Sequence, residues 1–407
     1  MRYFLMSVVF GILVFLIEFY FFKKFAGAIK LIFKKISPSK MKLAVTIAAA
    51  VLNLYALFLI IDWCYSQFTG APVYIPGNTA FDYFIIYPFW IFIFLVIQSE
   101  LFFVLIEILK LIFFPLYKRF KTKIRSVEAL IILLITIFFA FYIPLNVIHN
   151  YNTIQVSTVN YSKDNLPPQL KNFRIVFVSD IHADRYTGPP RLQKFINDIN
   201  NAHPDLVLIG GDLISSSPEY IDTAAEYIGK IKANYGVYSC VGDHENWAFR
   251  RNPQKSINVI ENALKKYNVQ MVDDNQRLVN VNGNKIKITF ITDTYVEHAS
   301  KSLLDSLTAD SASYGLKILL VHQPHENVAE RAAKTGYDLM LAGHTHGGQI
   351  TFLFPFKNLS PTMLEIKYVR GDFFFGKMLL IVTRGLGMSL VPMRLNSTPE
   401  VSIINLI

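Results

Sequence analysis

Asp180, His182, Asp212, Asp243, His244, His322, His344 and His346 are the residues of this chain whose types and spacing suit chemistry. They fall in Asp-x-His, Gly-Asp, Gly-Asp-His-Glu, His-Gln-Pro and Gly-His-Thr-His, each directly after a short apolar run. Singly, an Asp or His at the end of a strand is a turn former or a cap. As a set they form a mixed imidazole and carboxylate donor group without a thiolate, which suits Zn, Fe or Mn. Two cations a few Å apart repel each other and need a bridging anion, which one Asp carboxylate can supply. Such a pair lowers the pKa of a bridging water and neutralises phosphoryl oxygens during in-line attack. Gly210, Gly211, Gly242, Gly343, Gly347 and Gly348 flank these residues and permit tight turns and close backbone approach.

The elements that must present these groups are legible from Arg174 onward. Buried strands are expected at 174–178, 205–209, 237–241, 285–292, 317–321 and 338–342, with helices at 189–201, 218–232, 253–267 and 326–333. Strand-like pieces follow Gly347, at 378–383 and 401–405. Asp180 and His182 follow the first strand, Asp212 the second, and Asp243 and His244 the third. His322 follows the strand at 317–321, and His344 and His346 follow 338–342. In open α/β sheets, sites form outside the carboxyl ends of strands. Five strands therefore deliver Asp and His to one edge.

The first 150 residues have a different texture. A bilayer core of about 30 Å needs about 20 apolar residues in a helix. Tyr3–Phe22, Leu43–Ile61, Tyr83–Ser99 and Ala129–Ile148 are the candidate spans. The first has a single basic residue before it and no small-x-small site before Lys23, so it reads as a retained helix and not a cleaved signal. Lys23–Lys42 and Lys118–Arg125 are basic connections, while Asp62–Asp82 carries no Lys or Arg. The positive-inside rule puts the two basic connections in the cytoplasm and everything after Ile148 outside it. Phe25–Ile36 and Leu101–Phe114 either lie along the inner membrane surface or lengthen tilted helices.

The formal charge of +10 is concentrated here: residues 1–150 account for +8 and the remainder for +2. Membrane topology explains that excess, and no nucleic-acid partner is expected. Cys64 and Cys240 are the only cysteines, so no disulfide framework is part of the fold. The expected organisation is a four-helix transmembrane region at 1–149, a polar linker at 150–172 and an α/β domain at 173–407.

The stretches VSDIHADRYTGPPRL, PDLVLIGGDL, GVYSCVGDHENW, ILLVHQP, YDLMLAGHTHGGQI and TRGLGMSLVPMRLNSTPE span nearly the whole of 173–407. Through them the domain resembles the calcineurin-like metallophosphoesterase superfamily, and within it the membrane-associated bacterial phosphoesterases of the YkuE/YaeI type. The resemblance implies a two-sheet sandwich flanked by helices, in α-β-β-α layers. It also implies that Asp180, His182 and His346 bind one divalent metal, and that His322, His344 and Asp243 bind the other. Asp212 would bridge, and His244 would sit over the phosphate. Two residues depart from the family pattern. Asp243 stands where Asn is usual, which should bind the cation more tightly and reduce its Lewis acidity. Ser215 stands where many relatives have Asp.

His203, His298 and His325 lie outside the motifs and read as surface or turn residues. Trp247 reads as a packed turn aromatic or a pocket wall, and Arg394 and Asn396 match the family's tail. The expected protein is a membrane-anchored hydrolase of a phosphomonoester or phosphodiester, on a lipid or cell-envelope substrate. Membrane lipids are its expected surroundings, and no sequence feature assigns an oligomeric state. A second reading is a pyrophosphatase of a nucleotide-linked lipid precursor, of the UDP-diacylglucosamine type. A third is a catalytically weak metal-binding membrane protein, favoured by Asp243 alone.

Overall fold

The computed structural model describes residues 2–69, 76–249, 252–309 and 313–407; residues 70–75 of the connection at Asp62–Asp82 lie outside them. The chain divides into two compact units. One is Met1–Asn146 with Phe352–Asn358; the other is Val147–Thr351 with Leu359–Ile407.

The first unit is helical. Its principal helices are Arg2–Ile32, Pro38–Leu52, Leu54–Thr69, Tyr87–Ile112 and the Lys121–Asn152 helix up to Asn146. Two continuous helical stretches among the described residues, Thr79–Ile112 and Lys121–Asn152, are long and apolar enough to cross a membrane. Pro38–Leu52 and Leu54–Ser66 pass the same test only together, across a 50° bend. At that break the Asn53 side chain bonds the Ala49 carbonyl at 3.0 Å and Glu18 at 2.8 Å. Phe25–Ile32 and Leu101–Ile112 continue their helices, so those segments lengthen them. Phe21 stacks on Phe25 and Phe103, which ties the first helix to the Tyr87–Ile112 helix. Lys24, Glu107, Lys110 and Glu128 then close a ring of ion pairs across three helices.

Among the described residues the second unit contains two six-stranded mixed sheets. The first has the order β1 (Gln155–Tyr161), β12 (Glu400–Leu406), β2 (Arg174–Val178), β3 (Leu206–Ile209), β4 (Val237–Cys240) and β5 (Val269–Val272). The second runs β10 (Gly371–Phe375), β11 (Met378–Val382), β9 (Leu339–Ala342), β8 (Leu316–Val321), β7 (Asn284–Ile291) and β6 (Asn275–Val281). β2 to β5 are mutually parallel, as are β7, β8, β9 and β11, while β12 runs antiparallel to β2. Parallel strands buried on both faces read as continuous apolar runs, which is why IVFV, LVLI, KILLV and LMLA stand out in the sequence.

Three apolar clusters hold this unit. Phe177, Leu208, Phe290, Leu320 and Leu341 meet between the sheets. The helices Pro189–Asn201, Ile221–Ile228 and Pro253–Lys265 cover the outer face of the first sheet through Phe195, Ile228 and Ile260. Lys301–Thr308 and Glu326–Lys334 cover the second through Leu304, Val328 and Ala332.

The segment expected as a linker is ordered. Residues 147–152 finish the preceding helix, and β1 pairs in parallel with β12 from Gln155–Glu400 to Tyr161–Leu406. β1 is an edge strand with polar, largely exposed side chains, so it lacks the apolar run that marks its neighbours. The expected helix at 218–232 divides into a 3-10 turn at Pro218–Tyr220 and a helix at Ile221–Ile228.

Candidate metal centre

The strand ends deliver the Asp and His side chains through strained backbone. Asp180, His182, Asp212, His344 and His346 have φ of 53°, 47°, 56°, 69° and 51°. Non-glycine residues seldom occupy this left-handed region, and where they cluster the surrounding structure must hold them there. Here that structure is backbone pairing between turns. The Asp180 N–H donates to Gly211 at 3.0 Å, His182 N–H to Asp212 at 2.9 Å, and Gly343 N–H to His322 at 3.0 Å. A Cβ on Gly343 would collide with Ser179 and lie 2.7 Å from Asp180 Oδ2, so only glycine lets these turns close.

Four overlapping groups of donors result: Asp180–His182–His346, His182–Asp212–His244, Asp180–Asp212–His322 and Asp243–His322–His344. Within each, the candidate ligand atoms lie within 4.8 Å of one another. All eight residues singled out in the sequence are thus brought together, and Asp212 belongs to two groups.

The spacing tests whether a cation fits. Bonds of about 2.0–2.2 Å at right or tetrahedral angles put neighbouring ligand atoms roughly 2.8–3.6 Å apart. His182 Nε2 lies 3.1 Å from His346 Nε2 and 3.4 Å from Asp212 Oδ2. His346 Nε2 is 3.6 Å from Asp180 Oδ1. Across Asp212, His322 Nε2 is 3.3 Å from Asp212 Oδ2 and 3.2 Å from Asp243 Oδ2, and His344 Nδ1 is 2.9 Å from Asp243 Oδ2. His322 gives a further sign. Its Nδ1 is anchored on the Gly210 carbonyl at 2.7 Å, whereas its buried Nε2 faces the Asp212 and Asp243 carboxylates at 3.3 and 3.2 Å. Once the Nε2 proton leaves, a ring donating through Nδ1 offers a lone pair at the other nitrogen, as metal-binding histidines do. The residues fit divalent-cation binding.

Burial and mutual charge set the protonation of the donors. Burial pushes the Asp180 carboxyl up to about 6, against the pull of His322. Burial also holds His182 and His346 well below the ordinary imidazole range. For His322 burial acts in the same sense, but Asp212 and Asp243 outweigh it and raise the imidazole well above that range. Burial drives His244 down as well.

His244 stands at the mouth. Its N–H donates to Asp212 Oδ1 at 2.8 Å, and its Nδ1 is anchored on the Ser215 carbonyl. Its ring meets His182 and Trp247 edge-on, each at 4.5 Å between centroids, and its Nε2 lies 3.4 Å from Ser389 Oγ. Ser215, which drew attention only as a departure from a pattern, positions His244 through its backbone. Trp247 packs on that ring.

Two supporting side chains escaped the sequence reading. Glu245 is fully buried and accepts N–H groups from Leu213 at 2.7 Å, Asp212 at 2.8 Å and Gly242 at 2.7 Å. Burial, then the Asp212 charge, pushes this carboxyl up to about 7 despite its three donors. Gln323 donates to Asp243 Oδ1 and Oδ2 at 3.0 and 2.9 Å, and the Tyr295 N–H donates to Oδ1 at 2.7 Å. Each of Glu245 and Gln323 directly follows a motif histidine, which was the available signal. Arg394 is buried behind His346 and donates to the carbonyls of Gly387 at 2.8 Å and His346 at 3.2 Å. Asn396 bonds the Thr351 carbonyl at 2.7 Å. His298 and His325 both contact Asp293, at 3.3 and 2.7 Å, and form a separate cluster.

Residues 173–348 match the family model described as calcineurin-like phosphoesterase. The chain is 29% identical over 266 residues to the Danio rerio transmembrane protein with metallophosphoesterase domain, covering 61% of this chain and 56% of that protein. It is 29% identical over 243 residues to the metallophosphoesterase YkuE of Bacillus subtilis, covering 59% and 81%. Over 248 residues it is 25% identical to the phosphodiesterase YaeI of Escherichia coli, covering 61% and 85%. The chain thus spans little more than half the length of the Danio rerio relative.

Proposed function

We propose that residues 173–348 form a calcineurin-like phosphoesterase domain of the YkuE/YaeI type, and that the chain is a membrane-anchored hydrolase of phosphomonoesters or phosphodiesters working through two divalent metals. The observation that carries this reading is the position of Asp212 Oδ2 between the two donor sets, 3.4 Å from His182 Nε2 in one and 3.3 Å from His322 Nε2 in the other. Asp180, His182 and His346 would hold one ion, Asp243, His322 and His344 would hold the other, and Asp212 would bridge them. The donor set suits Mn, Zn or Fe.

A bound pair of such ions supplies Lewis acidity toward the phosphoryl oxygens and lowers the pKa of the attacking water. The chain's own residues do the rest. The strained turns fix the ligands before any ion arrives. Gln323 and the Tyr295 N–H orient the Asp243 carboxylate, which stands where relatives use Asn, so the extra negative charge has donors of its own. His244 keeps Nδ1 on the Ser215 carbonyl and turns Nε2 toward the mouth, where it can pass a proton to or from an ester oxygen.

In this reading all four apolar segments of residues 1–149 span a cytoplasmic membrane, and residues 150–172 lead into a catalytic domain at 173–407. The basic connections support a domain outside the cytoplasm by the positive-inside rule. An anchored enzyme meets membrane-borne substrates at high effective concentration, so a lipid or envelope phosphoester is the proposed substrate. The test uses the purified full-length chain with Mn, an aryl phosphomonoester and an aryl phosphodiester. Hydrolysis of at least one, abolished by Asp212→Ala, is expected. Absence of hydrolysis while the site is demonstrably loaded would leave a metal-binding membrane protein without turnover.

A further inference from the structure

The segment Phe352-Leu353-Phe354-Pro355-Phe356-Lys357-Asn358 begins six residues after His346. Six residues of chain reach about 21 Å at full stretch. The segment clusters with residues 1–146 and not with the strands on either side of it in sequence. Within that unit it is held by Gln98, the first of three consecutive buried polar residues, Gln98-Ser99-Glu100, in the apolar stretch Thr79–Ile112. Gln98 Nε2 donates to the Leu353 carbonyl at 2.8 Å, and the Leu353 N–H donates to Gln98 Oε1 at 2.8 Å. A side-chain amide pairing with both backbone groups of one residue is what irregular chain needs where water cannot satisfy it. Phe352 also packs edge-on against Phe94, at 6.3 Å between centroids.

Beyond this clasp the segment turns outward. Phe356 is completely exposed, at 107% of its reference area, and has a φ of 72°. A bulky aromatic residue in the left-handed region is a rare conformation. In water it would combine backbone strain with an uncovered apolar ring. Acyl chains would cover the ring, and the neighbouring Lys357 ammonium suits the phosphate headgroups above them.

We propose that residues 352–358 are a membrane-inserted anchor, with Phe356 in the acyl layer and Lys357 at the headgroups, that tethers the chain to lipid six residues after His346. This rests on the reading that Thr79–Ile112 and Lys121–Asn152 span the bilayer. The substrate class follows from the anchor: a phosphoester whose phosphate lies in the headgroup layer and whose tails remain in the membrane.

The experiment uses full-length protein in phospholipid nanodiscs, with Cys64→Ser to leave only the buried Cys240. A nitroxide is placed at Phe356→Cys, with Leu111→Cys on the apolar helix and Leu278→Cys on β6 as references; both reference sites are exposed in the fold. Collision rates with oxygen and with a water-soluble nickel chelate report depth. The label at 356 should resemble that at 111. Resemblance to 278, or shielding from both colliders as a second copy or a protein partner would give, overturns the anchor.

Phe356→Asp then tests the consequence, and it should fold because the ring touches no protein surface. Hydrolysis of a vesicle-borne phospholipid should fall at least about tenfold, the equivalent of one large apolar side chain left in water. The rate on a soluble aryl phosphodiester should stay unchanged. Equal loss on both substrates, or loss on neither, refutes the link to lipid. Should the wild type hydrolyse neither substrate, the phosphoesterase reading fails, while the label still decides insertion.

Discussion

Removing Glu245 should loosen the centre without touching a proposed ligand. Its carboxylate takes three buried backbone N–H groups, those of Asp212, Leu213 and Gly242, and thereby pins the Asp212 turn to the Asp243–His244 turn. A buried donor left without a partner costs about 1–3 kcal/mol. Glu245→Ala orphans all three, so about 3–6 kcal/mol is expected after partial relaxation. Glu245→Gln keeps one oxygen and turns an amide N–H toward at least one donor, for about 1–3 kcal/mol. Each 1.4 kcal/mol is tenfold in an opening equilibrium, so amide exchange in peptides spanning 211–214 and 241–244 should quicken by roughly 10- to 100-fold in the Gln variant and by more in the Ala variant. Hydrogen exchange by mass spectrometry on the intact protein in detergent measures this without requiring reversible unfolding. Unchanged exchange in Glu245→Ala, or equal effects in both variants, would refute the reasoning.

Gln323→Ala should weaken retention of the ion at His322, His344 and Asp243 by about 10- to 100-fold, the range for partners that orient a metal ligand; chelator competition reads it. His244→Ala should lower turnover by about 10²–10⁴-fold with both ions retained, checked by pairing rate with metal content. Metal affinity should rise with pH between 5 and 7 and keep rising above that range, since the proton that Asp212 and Asp243 hold on His322 must also leave. Burial raises Asp180 to about 6 in the folded, metal-free protein, so the proton it holds below that pH must leave before an ion binds. The sign for folding is the reverse: the metal-free fold binds this proton more tightly than the unfolded chain. Its contribution to stability is therefore present below about pH 4 and lost as pH rises to about 6. Chelator titrations at pH 5, 6 and 7, with melting of the metal-free protein at the same pH values, test both.

The sequence exposed the parallel strands and the residues at their ends for one physical reason. A strand buried on both faces is an unbroken apolar run, and the turn after it is where Asp, His and Gly become conspicuous. Arg174–Val178 and Pro189–Asn201 have the bounds expected of them. β1, β5 and β6 escaped because edge or partly exposed strands alternate polar and apolar residues over too few positions to stand apart from loop. Glu245, Gln323 and the Ser215 carbonyl escaped for another reason. Their roles depend on which backbone groups lie opposite them across two turns, and residue type does not encode that. Hydropathy raised four candidate spans. The 50° break at Asn53 explains why one of them does not form a single straight helix.

Metal stoichiometry tests the central claim most directly. Elemental analysis of the purified full-length protein, after equilibration with Mn and removal of free ion, should give two ions per chain, and Asp212→Ala should lose at least one while Ser389→Ala keeps both. One ion or none in the wild type, or two ions in Asp212→Ala, would contradict a pair of cations joined through Asp212.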